Sequence, residues 1–406
     1  MACIVQKYGG VFMATPEQIE KTAQRIIDSY NADKDVVVVI SARAGETNRL
    51  IEMAQEMGTP QAGCEYDLLI SAGEQVSMGL LALCIAKNGY KVKTFLGWQV
   101  PIITDSHHTH AAIDTIDPRK ITTELALGSI VVVAGFQGID RKGTITTLGR
   151  GGGDTSAVAL AHALGAEECE LYSDVDGVFT AEPSICSEAR KIAAISYDEM
   201  LELASQGARG VQIRALEYAK QHNVTIHIRS GFTTEPGTLV TGEQLAMEGV
   251  LVTGIVYDKN EAKIAVLGVP DKPGTAARIL NGLADKDISV DMIVQNVGQD
   301  GQADITFSVS KTDLENAHRI TAQIATEVNA REVIADKNIS KVSIVGLGMR
   351  NHAGVAARMF SALAYNNINI QMISTSEIKV SVAIEEKYTE LAVRVLHEAF
   401  NVAQQA

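Results

Sequence analysis

Four short runs dense in β-branched residues decide what the first 245 residues can become: KDVVVVIS (34–41), GSIVVVAGF (128–136), CELYSDV (169–175) and NVTIHIR (223–229). Each is apolar on both faces of the pleat and so needs cover above and below, the condition of a strand inside a parallel sheet. Between the runs the periodicity becomes helical. TPEQIEKTAQRIIDSY (15–30) opens with Thr15 at the N-cap position, Pro16 in the first turn and Glu17 behind it, a helix start. Alternation of this kind predicts an α/β sandwich of three layers, with its site at the carboxyl ends of the strands.

Past residue 245 the pattern changes and an internal repeat appears. IAVLGVPDKPGTAARILNGLADKDISVDMIVQN (264–296) matches VSIVGLGMRNHAGVAARMFSALAYNNINIQMIS (342–374) at a constant offset of 80 residues. Gly268 then corresponds to Gly348, Gly274 to Gly354, Arg278 to Arg358, Ile288 to Ile368 and Met292 to Met372. Strand, glycine turn, amphipathic helix, strand, and later a further strand and helix predict two small βαββαβ, ferredoxin-like units that pack sheet to sheet. With 406 residues, more than one core usually holds, the expected domains are 1–245, 246–335 and 336–406.

Charge narrows the function. A formal net charge of −14 argues against general binding of nucleic acid or anionic membrane, which needs an excess of Lys and Arg. The five cysteines are scattered, form no CxxC pair and fit a reducing compartment. No basic stretch followed by an apolar one opens the chain, and no apolar run approaches the ~20 residues that span a bilayer. A soluble cytoplasmic protein is expected.

Three glycine-rich passages follow apolar strands: KYGG (7–10), SARAGETN (41–48) and TTLGRGGGDTSAVALA (146–161). In the third, four glycines free the backbone to approach a ligand, Arg150 offers a forked cation, and Asp154-Thr155 opens a helix whose amides favour anions. No GxxxxGK[ST] occurs, so a nucleotide is held without a Walker lysine loop. Plain turns explain KYGG about as well as a phosphate site does. Glu74 heads a helix, where a carboxylate is favourable in any case. An Asp-Gly turn accounts for Asp174 and Asp176 nearly as well as a ligand role. The histidines of SHHTH (106–110) suggest a metal, but no acidic or cysteine partner lies nearby in sequence, and a solvated loop is the expectation.

Taken in order, KYGG, SARAGETNRL, SAGEQVSMGLL, VVVAGFQG, TTLGRGGGDT, YSDVDGVFTAEP, ASQGARGVQIRALEYA, VPDKPGTAARIL and NINIQMISTSEIKVSV resemble the aspartate kinases along essentially the whole chain. The resemblance implies an amino-acid kinase domain followed by tandem ACT modules, and phosphorylation of the β-carboxylate of L-aspartate with ATP and Mg²⁺, the entry to lysine, threonine and methionine synthesis. It assigns catalysis to Lys7 and Asp154, substrate binding to Thr47, Glu74, Phe136, Arg150 and Gly153, and nucleotide binding to Gly9, Gly10, Ser173, Asp174, Phe179, Ser184 and Arg209. Asp271, Gly274, Ala276, Gln295, Asn369 and Ile370 match effector-contacting positions of threonine- and lysine-regulated members. Unpaired ACT sheets further imply at least a homodimer through residues 260–406.

Several positions depart from the family pattern. Val11-Phe12 replace hydroxylated residues after the double glycine, Gly153 stands at a usual serine, Arg43 at a usually uncharged position and Trp98 at a small or polar one. Ser184 ends a nucleotide loop that has lost a phenol and a cation, and Arg209 stands for a lysine. Lost hydroxyls remove donors, and an inward Arg43 adds positive charge. Two further readings therefore stay open beside aspartate kinase: a related kinase for another small carboxylate, and an amino-acid sensor with a weakened site.

Overall fold

Eight strands form the central sheet of the first unit: β1 (Ala2–Tyr8), β2 (Lys34–Ile40), β3 (Val92–Phe95), β6 (Ile130–Ala134), β9 (Glu168–Ser173), β10 (Ala194–Ser196), β11 (Ile226–Ser230) and β12 (Thr238–Thr241). Their spatial order is β10-β12-β11-β9-β1-β2-β6-β3, and all neighbours run parallel except β11 and β12. The computed structural model describes residues 2–58, 62–208, 210–242, 251–298, 301–352 and 354–402. Two compact units emerge, one of Met1–Val178, Lys191–Ala204 and Arg209–Met247, the other of Phe179–Arg190, Ser205–Ala208 and Glu248–Ala406.

Both faces of the central sheet are covered, as its unbroken apolar strands require. On one face Ile4, Tyr8, Val36, Val38, Ile40, Ile130 and Val132 pack with Ile19 and Ile26 of α1 (Pro16–Asn31) and with Leu81 and Ile85 of α4 (Ala72–Lys87). On the other, α6 (Gly152–Leu164) packs on β1, β2 and β9, and on α8 (Ile213–His222). The helix α1 starts as its sequence demands, Thr15 accepting the Gln18 N–H at 3.3 Å. Short helices α2 (Glu46–Glu56), α3 (Cys64–Ile70), α5 (Arg119–Ala126) and α7 (Tyr197–Ser205) complete the layers. The segment Cys64–Lys87, α3 and α4 together, is 24 residues long and contains an 18-residue stretch of mean hydropathy 1.7, enough by length and composition to cross a bilayer, which corrects the expectation that none approaches that length. Half of that stretch is buried, and α4 serves as a core helix against β2, β3, β6 and α1.

A smaller four-stranded sheet, ordered β5-β4-β7-β8, is built from β4 (Ile102–Thr104), β5 (Ile113–Ile116), β7 (Gln137–Ile139) and β8 (Ile145–Thr147). Its strands bring the 105–112 and 148–151 loops together, a juxtaposition that matters for the site.

The two repeats do not pack sheet to sheet; they share one six-stranded sheet ordered β14-β15-β13-β16-β18-β17. The long strands β13 (Gly254–Pro270) and β16 (Glu332–Val345) run through both repeats. The first module is β13 from Glu261 on, α9 (Thr275–Ala284), β14 (Ile293–Val297), β15 (Gln302–Ser310), α10 (Leu314–Glu327) and the first half of β16. The second comprises the rest of β16, α11 (Val355–Tyr365), β17 (Ile370–Thr375), β18 (Lys379–Glu385) and α12 (Thr389–Ala399). After α12 no sixth element follows among the described residues. Gly254–Asp258 takes that place, pairing with Lys341–Val345, and Val252 and Ile255 join the core of Val342, Ile344, Val382 and Leu396. A strand that precedes the first module thus closes the second. Residues 336–406 expressed alone should lack helical and sheet structure by circular dichroism, whereas 251–406 should show both; a folded 336–406 would contradict this closure.

Candidate active site

Lys7 is the next-to-last residue of β1, on the face opposite the core residue Tyr8, because side chains alternate along a strand. Its Nζ meets Asp154 Oδ1 at 2.6 Å. Asp154 is placed by the start of α6, where Gly151 takes a left-handed φ of +74° at the N-cap. The other carboxylate oxygen, Oδ2, accepts the Gln212 N–H at 3.3 Å.

Close backbone approach builds the floor around this pair. A Cβ on Gly10 would stand 2.5 Å from the Ala42 carbonyl oxygen, and the Ala44 N–H donates to Gly10 O at 3.0 Å. A Cβ on Gly135 would meet Val39 at 2.9 Å and the Gly153 Cα at 3.4 Å, while one on Gly153 would lie 3.0 Å from Ser41 Oγ and 3.4 Å from Lys7 Cε. Glycine at 153 therefore gives the lysine side chain room beside Ser41. Gly9 is less tightly placed: a Cβ there would be in ordinary contact with Lys7 Nζ, at 3.7 Å.

Glu74, in the first turn of α4, is buried, and its Oε1 accepts the Ala42 N–H at 3.0 Å. Its Oε2 is buried with no partner among the described residues. Burial pushes this carboxyl up to about 7, against the pull of its backbone donors. Phe136 lies between β6 and β7 in the left-handed region at φ +68°, held by its N–H to Ser156 Oγ at 3.0 Å and its carbonyl to the Leu148 N–H at 3.0 Å. Left-handed non-glycine residues cluster at ligand sites. Thr47 is half-buried in the first turn of α2, and Arg150 is exposed with no ion pair among the described residues.

The remaining assigned positions fall in different places. Ser173 ends β9, its hydroxyl accepting the Val175 N–H at 3.3 Å, with Asp174 exposed beside it. Asp176 accepts the Thr233 hydroxyl at 2.9 Å, a structural bond. Phe179 and Ser184 belong to the segment that packs in the second unit, where Ser184 Oγ donates to Glu182 at 3.1 Å. Arg209 lies outside the described residues. In the second unit Asp271, Gly274 and Ala276 gather at the β13–α9 turn, Gln295 is exposed on β14, and Asn369 and Ile370 open β17.

Two departures from the family pattern, and one expected loop, change meaning. Phe12 does not line the site; it is core, edge-on to Tyr8 at 5.9 Å and 5.1 Å from Phe232, while Val11 is exposed. Arg43 does not point inward: Nε and Nη2 donate to the carbonyls of Met13 and Ala14 at 3.1 and 2.7 Å, tying down the turn after KYGG. Nor is SHHTH merely solvated, since Asp67, fully buried, accepts from His108 Nδ1 at 2.7 Å and from the Thr109 N–H at 3.1 Å. Trp98 lies with Lys93 and Lys120 along an open groove of about 850 Å³ at the β3 edge of the central sheet. Asp67 and Arg214, both missed by sequence reasoning, anchor the loops around Arg150. Their partners lie far along the chain, and no local pattern announces them.

A glycine-lined lysine–carboxylate pair at the sheet's switch point, between β2 and β9, suits transfer of a phosphoryl group. The amino acid kinase family model matches residues 2–230, and ACT domain models match 263–328 and 342–400. Aspartate kinase Ask_LysC of Stutzerimonas stutzeri strain A1501 is 51% identical over 403 residues, 99% of this chain and 98% of the relative. The aspartokinase of Pseudomonas aeruginosa is 52% identical over 404 residues, with 99% and 98% covered. The chain belongs to the aspartate kinases. Aspartokinase III of E. coli, solved with aspartate and ADP and again with lysine and aspartate, has the same fold: TM-scores are 0.77 and 0.80, identity is 23%, and 98% of this chain and 99% of that one are covered.

An aspartate kinase with this floor should be intolerant of bulk at Gly10. Gly10→Ala forces a backbone shift at Ala42 and should lower kcat/KM at least about tenfold; unchanged kinetics would mean that the close approach is dispensable. Glu74 gives a second expectation. Unfolded it ionises near 4.5 and folded near 7, so between these values only the unfolded chain has lost its proton. Stability should fall as pH rises across that window and level off above it, by on the order of 3 kcal/mol. Glu74→Gln should abolish that component of the slope in urea unfolding at about pH 5 and about pH 8; an unaltered slope would refute the assignment.

Proposed function

We propose that this chain transfers the γ-phosphoryl group of ATP to the β-carboxylate of L-aspartate, giving 4-phospho-L-aspartate and ADP, the first step toward lysine, threonine and methionine. The Lys7–Asp154 pair over Gly10 and Gly153 carries this reading. A β-carboxylate is already ionised at neutral pH, so the acceptor needs no general base. Its oxygen attacks Pγ in line as the bond to the ADP oxygen breaks, and catalysis consists of positioning and charge neutralisation.

Lys7 would meet the charge developing on the transferring group, with Asp154 fixing where the ammonium points and Gly9 and Gly10 admitting the phosphate to backbone distance. Arg150, unpaired among the described residues, would clamp the α-carboxylate in a forked pair. Glu74's unpartnered Oε2 would take the α-ammonium, which in turn favours the ionised carboxyl. Thr47 and Phe136 would close the pocket, and Ser173 and Asp174 would border the nucleotide. Mg²⁺ fits this donor set as an ion carried mainly by phosphates and water: Asp154 is engaged by Lys7, which leaves the exposed Asp174 as the carboxylate at hand. When bound, the ion neutralises phosphate charge.

The ACT modules would bind lysine, threonine or both at Asp271, Gly274, Ala276, Gln295, Asn369 and Ile370, and so exert feedback. Homo-oligomerisation through this unit is supported by its open edges, where Ile293 and Val297 on β14 and Ile373 on β17 are exposed. Five free cysteines suit a soluble cytoplasmic enzyme. Because Phe12 is core and Arg43 is spent on carbonyls, neither alters the pocket, which favours aspartate over a different acid. A coupled ADP-release assay should give saturable turnover with aspartate, a loss of at least about a hundredfold in Lys7→Ala, and inhibition by lysine or threonine. Turnover with another acid and none with aspartate would replace the substrate.

A further inference from the structure

The loop that carries Arg150 is short and has little structure of its own. It links β8 to α6, and Gly149 and Gly151 within it take left-handed φ values of +77° and +74°. A cation on such a loop recognises a carboxylate only if the loop is held from outside.

The neighbour that holds it is the 105–112 loop. A Cβ on Gly149 would lie 2.7 Å from the Thr109 carbonyl oxygen and 3.2 Å from the His110 ring, so the two segments touch through bare backbone. Thr109, a β-branched residue, sits in the left-handed region at φ +69°. Asp67 secures both sides, taking the Thr109 N–H at 3.1 Å and the Thr147 hydroxyl at 2.5 Å, and the Ala111 N–H donates to the Thr147 carbonyl at 3.0 Å.

Arg214, in the first turn of α8, bridges the pair. One guanidinium nitrogen donates to the Leu148 carbonyl at 2.6 Å, and the other donates to the Ala111 carbonyl. Leu148 lies two residues before Arg150, and the same carbonyl-rich turn receives Gln212, whose side chain packs on Gly151. The planar fork holds the two carbonyls, on different segments, with two nitrogens in a fixed relation, a geometry that the single nitrogen of an ammonium does not reproduce.

We propose that Arg214 is a positioning residue for the carboxylate-recognition loop: by clamping the Leu148 and Ala111 carbonyls it fixes Arg150 for the substrate's α-carboxylate. This rests on the reading of Arg150 as the clamp. The function of Arg214 is then specific to the acceptor, since among the described residues its guanidinium bonds go to Leu148 and Ala111 and none to Lys7, Glu74 or the end of β9.

Steady-state kinetics of the full-length enzyme with Arg214→Gln, Arg214→Lys, Arg150→Ala and the double variant Arg150→Ala/Arg214→Gln test it. Arg214→Gln should raise KM for aspartate at least about tenfold while KM for ATP stays within about twofold, and Arg214→Lys should fall between it and wild type. In the Arg150→Ala background Arg214→Gln should add nothing, because both act through one contact. Additive losses, or an unchanged KM for aspartate in Arg214→Gln, would overturn the proposal. If Arg150→Ala itself leaves KM for aspartate unchanged, the clamp reading is at fault and this inference falls with it. Should Arg214→Gln fail to fold, Arg214→Lys carries the same comparison.

Discussion

Everything near the chemistry depends on one ion pair between two elements that meet only because glycines let them. Lys7 leaves the end of a strand whose middle residues Ile4, Val5 and Gln6 are buried, and Asp154 enters from the helix that covers the same face of that sheet. For the two to touch, the ends of β1, β2 and β6 and the first turn of α6 must converge to van der Waals distance. A side chain at Gly10 would collide with the Ala42 backbone and one at Gly135 with Val39, whereas one at Gly153 would crowd only Ser41 Oγ and the lysine side chain. The glycines thus serve less as flexible joints than as spacers of zero width. Strand burial, helix placement and lysine orientation are consequences of a single packing constraint.

Elements whose signal is local were legible in the sequence. The strands were found from continuous β-branched runs, α1 from its cap and proline, and the glycine loops from residues that only a tight backbone tolerates. Side-chain direction was not legible. Phe12 and Arg43 looked like alterations of the pocket, yet the 3₁₀ turn after Gly9 carries Phe12 into the core, and the carbonyls of Met13 and Ala14 at its end receive Arg43. Nothing in SHHTH announces Asp67, some forty residues earlier, as its anchor. Buried polar groups find partners by tertiary proximity, which spacing along a chain does not encode.

The second unit obeys its repeat and breaks it at once. Glu261 and Lys341 are equivalent positions at the 80-residue offset, and they form a buried ion pair at 2.7 Å, with Asp291 as a second partner of the lysine. Two copies that were identical there would set like charges together in a place with little water. Divergence of one member to lysine and the other to glutamate resolves that conflict. Met292 and Met372, another equivalent pair, pack in one small cluster with Ile339 and Ala383. The modules are therefore a joined object with an internal axis and not two beads on a string.

The path of the backbone between the units has a mechanical consequence. Phe179–Arg190 belongs to the second unit, with Ala181 and Cys186 in its core and Thr180 bonded to the buried His397 at 3.0 Å, yet it is spliced between β9 and β10 of the first. The chain passes from one unit to the other at 178/179, 190/191, 204/205, 208/209 and 247/248. A fabric seamed with several stitches does not come apart at one cut. No single proteolytic nick can free the regulatory half.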